Sequence, residues 1–134
     1  MLILKKNLFE QIVSQCRKEL PNEACGILAG KDRQVEKVFE MANAQKSPDF
    51  YFMDATEQLK VMKEMRNLGL EMLGVYHSHV ASRAYPSAKD VELAFYPEVS
   101  YVILSLKEKN NPDIKSYKIR ENSITEEEIR VLEG

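Results

Sequence analysis

Residues 71–94 read EMLGVYHSHVASRAYPSAKDVELA, and this stretch decides both the fold and the chemistry. Glu71 to His77 is a mostly apolar run of strand length, and Ser78 to Pro86 is a polar loop. Ser87 is placed to cap a short helix through Asp90, Leu93 and Ala94, which Pro97 ends. His77 and His79 are the only histidines of the chain. They lie two apart at a predicted strand end, where side chains at i and i+2 share a face. Two imidazoles on one face can grip one metal ion, and Asp90, in the first helical turn, adds a carboxylate. A lone His-x-His pair also arises on ordinary surfaces, and Asp90 by itself also reads as a helix cap or a solvated charge. Their concentration with Ser87 in one strand-loop-helix unit points to three protein ligands and a fourth position open to water, as in catalytic zinc sites.

Working outward, Leu2 to Leu4 reads as a short strand, and Leu8, Ile12, Val13 and Cys16 form one stripe of a helix that Pro21 ends. Ala24 to Ala29 is an apolar strand closed by a turn at Gly30-Lys31-Asp32, and Val35 to Met41 is its partner. Asn43 to Asp49 is turn-rich. Asp54 caps a helix over Ala55 to Leu68 whose uneven apolar face carries Leu59, Met62, Met65, Arg66 and Leu68, and Gly69 stops it. Val99 to Leu106 has the composition of a buried strand, Lys107 to Pro112 a polar hairpin loop, and Ile114 to Ile119 the returning strand. Helices interleaved with strands predict an α/β or α+β sandwich. No repeat or linker interrupts residues 1–134, so one domain is expected.

The chain has 134 residues, 19 Lys plus Arg against 21 Asp plus Glu, and 44% apolar residues. That length builds a core without disulfide staples. Balanced charge argues against disorder, and the lack of a basic excess argues against a nucleic-acid partner. The apolar run around Tyr101 to Leu106 is far below the roughly 18 residues of a membrane span. The opening MLILKKNLFEQIV runs into Glu10, Arg17, Lys18 and Glu19, leaving no signal-peptide core. A soluble, cytoplasmic protein without a membrane partner is expected, with Cys16 and Cys25 as free thiols. Cys25 reads as a core residue. Its nearness to Glu23 leaves a redox or metal role open.

The stretch His77-Ser78-His79, seven residues, Ser87, two residues, Asp90 resembles the His-x-His-x7-Ser-x2-Asp signature of the JAMM/MPN+ metalloproteases. Pro21-Asn22-Glu23-Ala24-Cys25-Gly26 is similar to that family's upstream Glu segment. The resemblance implies a cytidine-deaminase-like α/β fold, a mixed β-sheet flanked by helices, with Zn²⁺ held by His77, His79 and Asp90. It makes Glu23 the general base and Ser87 the donor to the carbonyl oxygen as that oxygen becomes an oxyanion. Without the signature, Glu23 is an ordinary Glu after a helix-breaking proline, and Ser87 a cap. Many members carry Pro after the second histidine, where this chain has Val80.

Within the resemblance, deubiquitinating members carry insertions that clamp ubiquitin, and this chain has only short connections. It is more similar to compact bacterial and archaeal members that process ubiquitin-like sulfur-carrier proteins, cutting after a C-terminal Gly-Gly. Such a tail can bind by adding a strand beside the site. An isopeptidase acting on protein conjugates and a noncatalytic MPN-type scaffold are the alternatives, and retention of every ligand plus Glu23 argues against the scaffold. A zinc deaminase needs His-x-Glu and Pro-Cys-x-x-Cys, which this chain lacks. Neither the identity of the carrier nor the choice between monomer and homodimer is readable from the sequence.

Overall fold

In the computed structural model, which describes residues 1–133, β1 (Leu2–Lys5) leads straight into α1 (Lys6–Glu19). There follow β2 (Cys25–Lys31), β3 (Gln34–Met41), α2 (Ala55–Asn67), β4 (Glu71–His79), α3 (Ala88–Glu92), β5 (Ser100–Ser105), β6 (Asp113–Arg120), β7 (Ser123–Glu127) and β8 (Ile129–Leu132). The strands form one mixed sheet in the order β7-β6-β5-β4-β2-β3-β1-β8. β4 lies parallel to β5 and antiparallel to β2, so His77 sits between Cys25 on one side and Ile103 on the other. The strand that carries both histidines is therefore held by ladders on both edges.

Side-chain alternation along β4 feeds two cores. Tyr76 joins Leu8, Ile12, Val13 and Cys16 of α1 on one face of the sheet. Val75 joins Val61 and Met65 of α2 on the other, together with Ile27, Tyr101 and Ile103. Gly26 shows how closely the first face is filled. A Cβ there would lie 2.2 Å from the Tyr76 hydroxyl, which donates to Gln15 Oε1 while Gln15 Nε2 donates to the Cys25 carbonyl at 3.0 Å. This buried relay ties α1 to β2 and β4 with both side-chain partners satisfied.

The α1 stripe falls where its periodicity places it, Asp54 caps α2 by accepting from the Glu57 amide at 3.0 Å, and Gly69 takes a positive φ of 69° just past the helix. Several expectations are corrected. On α2 it is Val61 and Met65 that are buried, whereas Leu59 and Leu68 are 62% and 51% exposed. Val61 and Met65 lie four apart on one stripe, while Leu59 is about 200° around from Val61 at 3.6 residues per turn. The β2–β3 turn falls at Asp32 and Arg33, both at positive φ, because Gly30 and Lys31 remain paired in β2. α3 stops at Glu92, well before Pro97. β4 continues through Ser78 and His79, which pair with Leu104 and Ser105 of β5.

β7 and β8 lie beyond the last element expected from sequence. Only Glu128 separates them, yet they occupy opposite edges of the sheet, so the sheet curls until its ends meet. At the seam the Leu2 amide donates to the Glu128 carbonyl at 3.0 Å, and Glu127 accepts from Ser116 Oγ at 2.8 Å and from Arg33 at 3.3 Å. Among the described residues no helix is long and apolar enough to cross a membrane.

Candidate metal centre

His77 and His79 project from β4 on the α2 side, and the first turn of α3 brings Asp90 opposite them. His77 Nε2, His79 Nε2 and Asp90 Oδ2 form a tight triangle, with sides of 3.2 Å between the imidazoles and 3.1 and 2.9 Å to the carboxylate. All three residues are buried, at 1%, 4% and 3% exposure. α3 is fixed by a capping box in which the Asp90 amide donates to Ser87 Oγ at 3.1 Å and the Ser87 amide donates to Asp90 Oδ2 at 2.9 Å. The cap that starts the helix thus also aims the carboxylate.

The chemistry of this triangle calls for a cation. His79 Nδ1 lies 2.9 Å from the Arg83 carbonyl, which can only accept, so Nδ1 carries a proton and Nε2 is the atom turned to the triangle. Nε2 faces a carboxylate oxygen at 2.9 Å; burial lowers the His79 pKa, but the bonds to Asp90 and the Arg83 carbonyl outweigh it and raise it. Complete burial pushes His77 below its ordinary pKa, favouring the neutral form that ligates metal. Three atoms able to ligate a metal meet inside the protein, while Asp90 Oδ1 and His77 Nδ1 have no hydrogen-bond partner. One proton can bridge only one pair. One metal ion satisfies all three, and tetrahedral coordination at about 2.0–2.1 Å puts ligands about 3.3 Å apart, close to the observed sides. These three are also the one His/Cys/Asp/Glu group among the described residues able to share an ion.

His77 is steadied differently from His79. The Tyr51 ring stacks on it with centroids 4.6 Å apart and planes 23° from parallel, in place of an outer hydrogen bond. Tyr51 comes from the β3–α2 connection, just beyond the turn-rich Asn43 to Asp49, and the sequence gives no sign of a role for it.

Glu23 lies just before β2, 3% exposed, with Oε1 unpartnered. It shares a cleft of ≈ 310 Å³ with His79, Ser87, Pro48, Asp49 and residues 80–82. Burial pushes its carboxyl up to about 8; the His79 charge pulls the other way, and Asp90 and Asp49 add to the rise. The structure so brings together all five residues singled out from sequence. Cys25 is not among them: its Sγ is turned towards the Met41 and Ala42 carbonyls at 3.9 and 3.7 Å, and burial pushes the thiol up to about 12. Cys16 and Cys25 are both free.

Comparison with known proteins agrees with this geometry. The family model of prokaryotic homologs of the JAB domain matches residues 5–120. The chain belongs to this family. The CysO-cysteine peptidase of Mycobacterium tuberculosis is 38% identical over 135 residues, covering 99% of this chain and 92% of that protein. The probable TtuB-protein conjugate cleaving protease of Thermus thermophilus is 36% identical over 104 residues, covering 77% and 69%. A protein from Desulfitobacterium hafniense, solved in solution, has a TM-score of 0.92 at 45% identity and covers 100% of this chain and 94% of its own. Solved JAB1/MPN and JAMM structures share the mixed, helix-flanked fold of the JAB family. As a JAB-domain protein with peptidase relatives of nearly full coverage, the chain is a hydrolase.

Proposed function

We propose that this chain is a zinc-dependent peptidase that hydrolyses the bond following the C-terminal Gly-Gly of a ubiquitin-like sulfur-carrier protein. The observation that carries the reading is the convergence of His77 Nε2, His79 Nε2 and Asp90 Oδ2 within 3.2 Å beside the unpartnered Glu23 carboxylate. The names of the similar mycobacterial and Thermus proteins support the substrate class, one a peptidase of a CysO-cysteine adduct and the other a protease of TtuB-protein conjugates. Two nitrogens and one oxygen suit zinc and leave a fourth position for water or substrate.

In this reading His77, His79 and Asp90 hold the ion, which when bound acts as a Lewis acid on the scissile carbonyl and acidifies the attacking water. Glu23 takes a proton from that water as its oxygen adds to the carbonyl carbon. As the C–N bond breaks, Glu23 passes the proton to the leaving amine. Ser87 Oγ already accepts from the Asp90 amide, and its own O–H remains to donate to the developing oxyanion, a contact worth about 2.7–4 kcal/mol where one such donor is removed. The products are the carrier's free Gly-Gly carboxylate and an amine.

A backbone that must enter the cleft beside Glu23 and His79 and reach the ion leaves little room for bulky side chains before the cut. A carrier ending in Gly-Gly-X is expected to be cleaved, and one with the second glycine changed to Val far more slowly. The isolated tail peptide is also expected to be slow, since it forfeits the remote contacts that position the bond. Initial rates on the three substrates at matched concentration check this. Equal rates would mean a nonspecific peptidase.

A further inference from the structure

Glu23 is not held by the sheet. It precedes β2, and its backbone is gripped instead by the connection between β3 and α2. The Glu23 amide donates to the Ser47 carbonyl at 2.8 Å, and the Glu23 carbonyl accepts from Asn43 Nδ2 at 3.0 Å. Asn43 is 5% exposed and uses its whole side-chain amide. Nδ2 also donates to the Phe50 carbonyl at 3.1 Å, and Oδ1 accepts from the Gln45 amide at 3.0 Å and the Phe52 amide at 3.2 Å. The same connection is closed by the Ala44 amide donating to the Phe52 carbonyl at 2.8 Å and by an isolated bridge between Asn43 and Met53. One buried side chain thus folds residues 43–53 into a closed strap and clasps the carbonyl of Glu23.

We infer that Asn43 is a positioning residue for the Glu23 carboxylate. This rests on the proposed role of Glu23 as base. Leu, Met or Ser cannot replace the amide, because two carbonyls need donors and two amides need an acceptor, all from one planar group. A buried group left without those partners costs more than the bond itself, so the strap shifts rather than tolerating the loss. Since misplacing a catalytic group by about 1 Å can cost on the order of 10²-fold in rate, the price of losing Asn43 falls on turnover. The metal ligands come from β4 and α3, which are fixed by their own ladders and capping box, and the strap meets His77 through the Tyr51 ring, so the ion is expected to be retained at saturating zinc.

The test is a double-mutant cycle on kcat with Asn43→Ala and Glu23→Gln, on zinc-loaded full-length chain with a Gly-Gly-extended carrier. Asn43→Ala is expected to lower kcat about 10–100-fold with KM little changed. In the Glu23→Gln background it is expected to cost almost nothing further, because its effect travels through that carboxylate. Asn43→Asp supplies a second arm: it keeps an acceptor for the Gln45 and Phe52 amides, so the strap can close, but removes both donors. It is expected to show the same pattern and is decisive if the alanine variant does not fold. Amide hydrogen exchange adds a readout free of turnover: the Glu23 amide is expected to exchange faster in both variants, with β5 amides unchanged and one metal ion per chain retained. Wild-type kcat in Asn43→Asp, an equal loss in both Glu23 backgrounds, or loss of the metal would overturn the assignment. If instead Glu23→Gln alone kept full turnover, it is the role of Glu23 as base that fails.

Discussion

Replacing His77 or Asp90 with alanine is expected to abolish metal binding and, with it, hydrolysis. Each variant leaves two of three protein ligands, and the loss should exceed the roughly 10–100-fold that removal of a mere outer partner costs in metal affinity. The thermal shift separates this from simple unfolding. In the wild-type chain the metal is expected to bind the native state alone and so to stabilise it, by about 2.7 kcal/mol at a free concentration a hundred times Kd. The variants should show no such shift. Alanine at 77 also relieves the crowding of His79 Nε2 and Asp90 Oδ2 against a third electron-rich atom, so the metal-free variant is expected to stay folded. Metal content by elemental analysis and melting curves with and without added zinc check the prediction, and a metal-dependent shift retained in Asp90→Ala would remove Asp90 from the ligand set.

Glu23→Gln separates binding from chemistry. The amide is nearly isosteric and no metal ligand is touched, so metal and fold should be retained. It cannot accept a proton, and turnover should fall by the roughly 10²–10⁴-fold that general acid–base work supplies. Burial pushes the Glu23 carboxyl above the usual carboxylate range, and only its deprotonated form can accept the water's proton, so wild-type turnover should rise with pH along a limb that Glu23→Gln lacks. Single-turnover kinetics on metal-loaded protein read the effect directly. An unchanged rate would make Glu23 structural.

Much of the fold is legible because strong local patterns coincide with burial. The α1 stripe and the Val99 to Leu106 run each point one consistent way, and their partners lie nearby. The C-terminal strands escape that reading. Ser123–Glu127 and Ile129–Leu132 are half exposed, pair at opposite edges, and become strands only because Leu2 and Ser116 stand ready across the curl. The positive φ of Glu121 and Asn122 marks the turn between β6 and β7, and Asn122 was the one local signal available. At the site the three proposed metal ligands are local: two on one strand and one on the next helix. Glu23 reaches them because β2 pairs with β4 next to it and the β3–α2 connection grips its own backbone, which spacing alone does not reveal; the likeness of residues 21–26 to the family's Glu segment points to it. Asn43 and Tyr51 are out of reach, since neither the turn-rich Asn43 to Asp49 nor the residues after it give a hint that the segment folds back onto Glu23 and onto a histidine ring.

The most direct test of the whole account is the mass of a Gly-Gly-X carrier incubated with the protein as purified, after chelation, and after chelation followed by zinc. The expected result is loss of X alone, leaving a carrier that ends in Gly-Gly, in the first and third samples and an intact carrier in the second. Cleavage that persists after verified removal of the metal, or that falls elsewhere in the carrier, would contradict it.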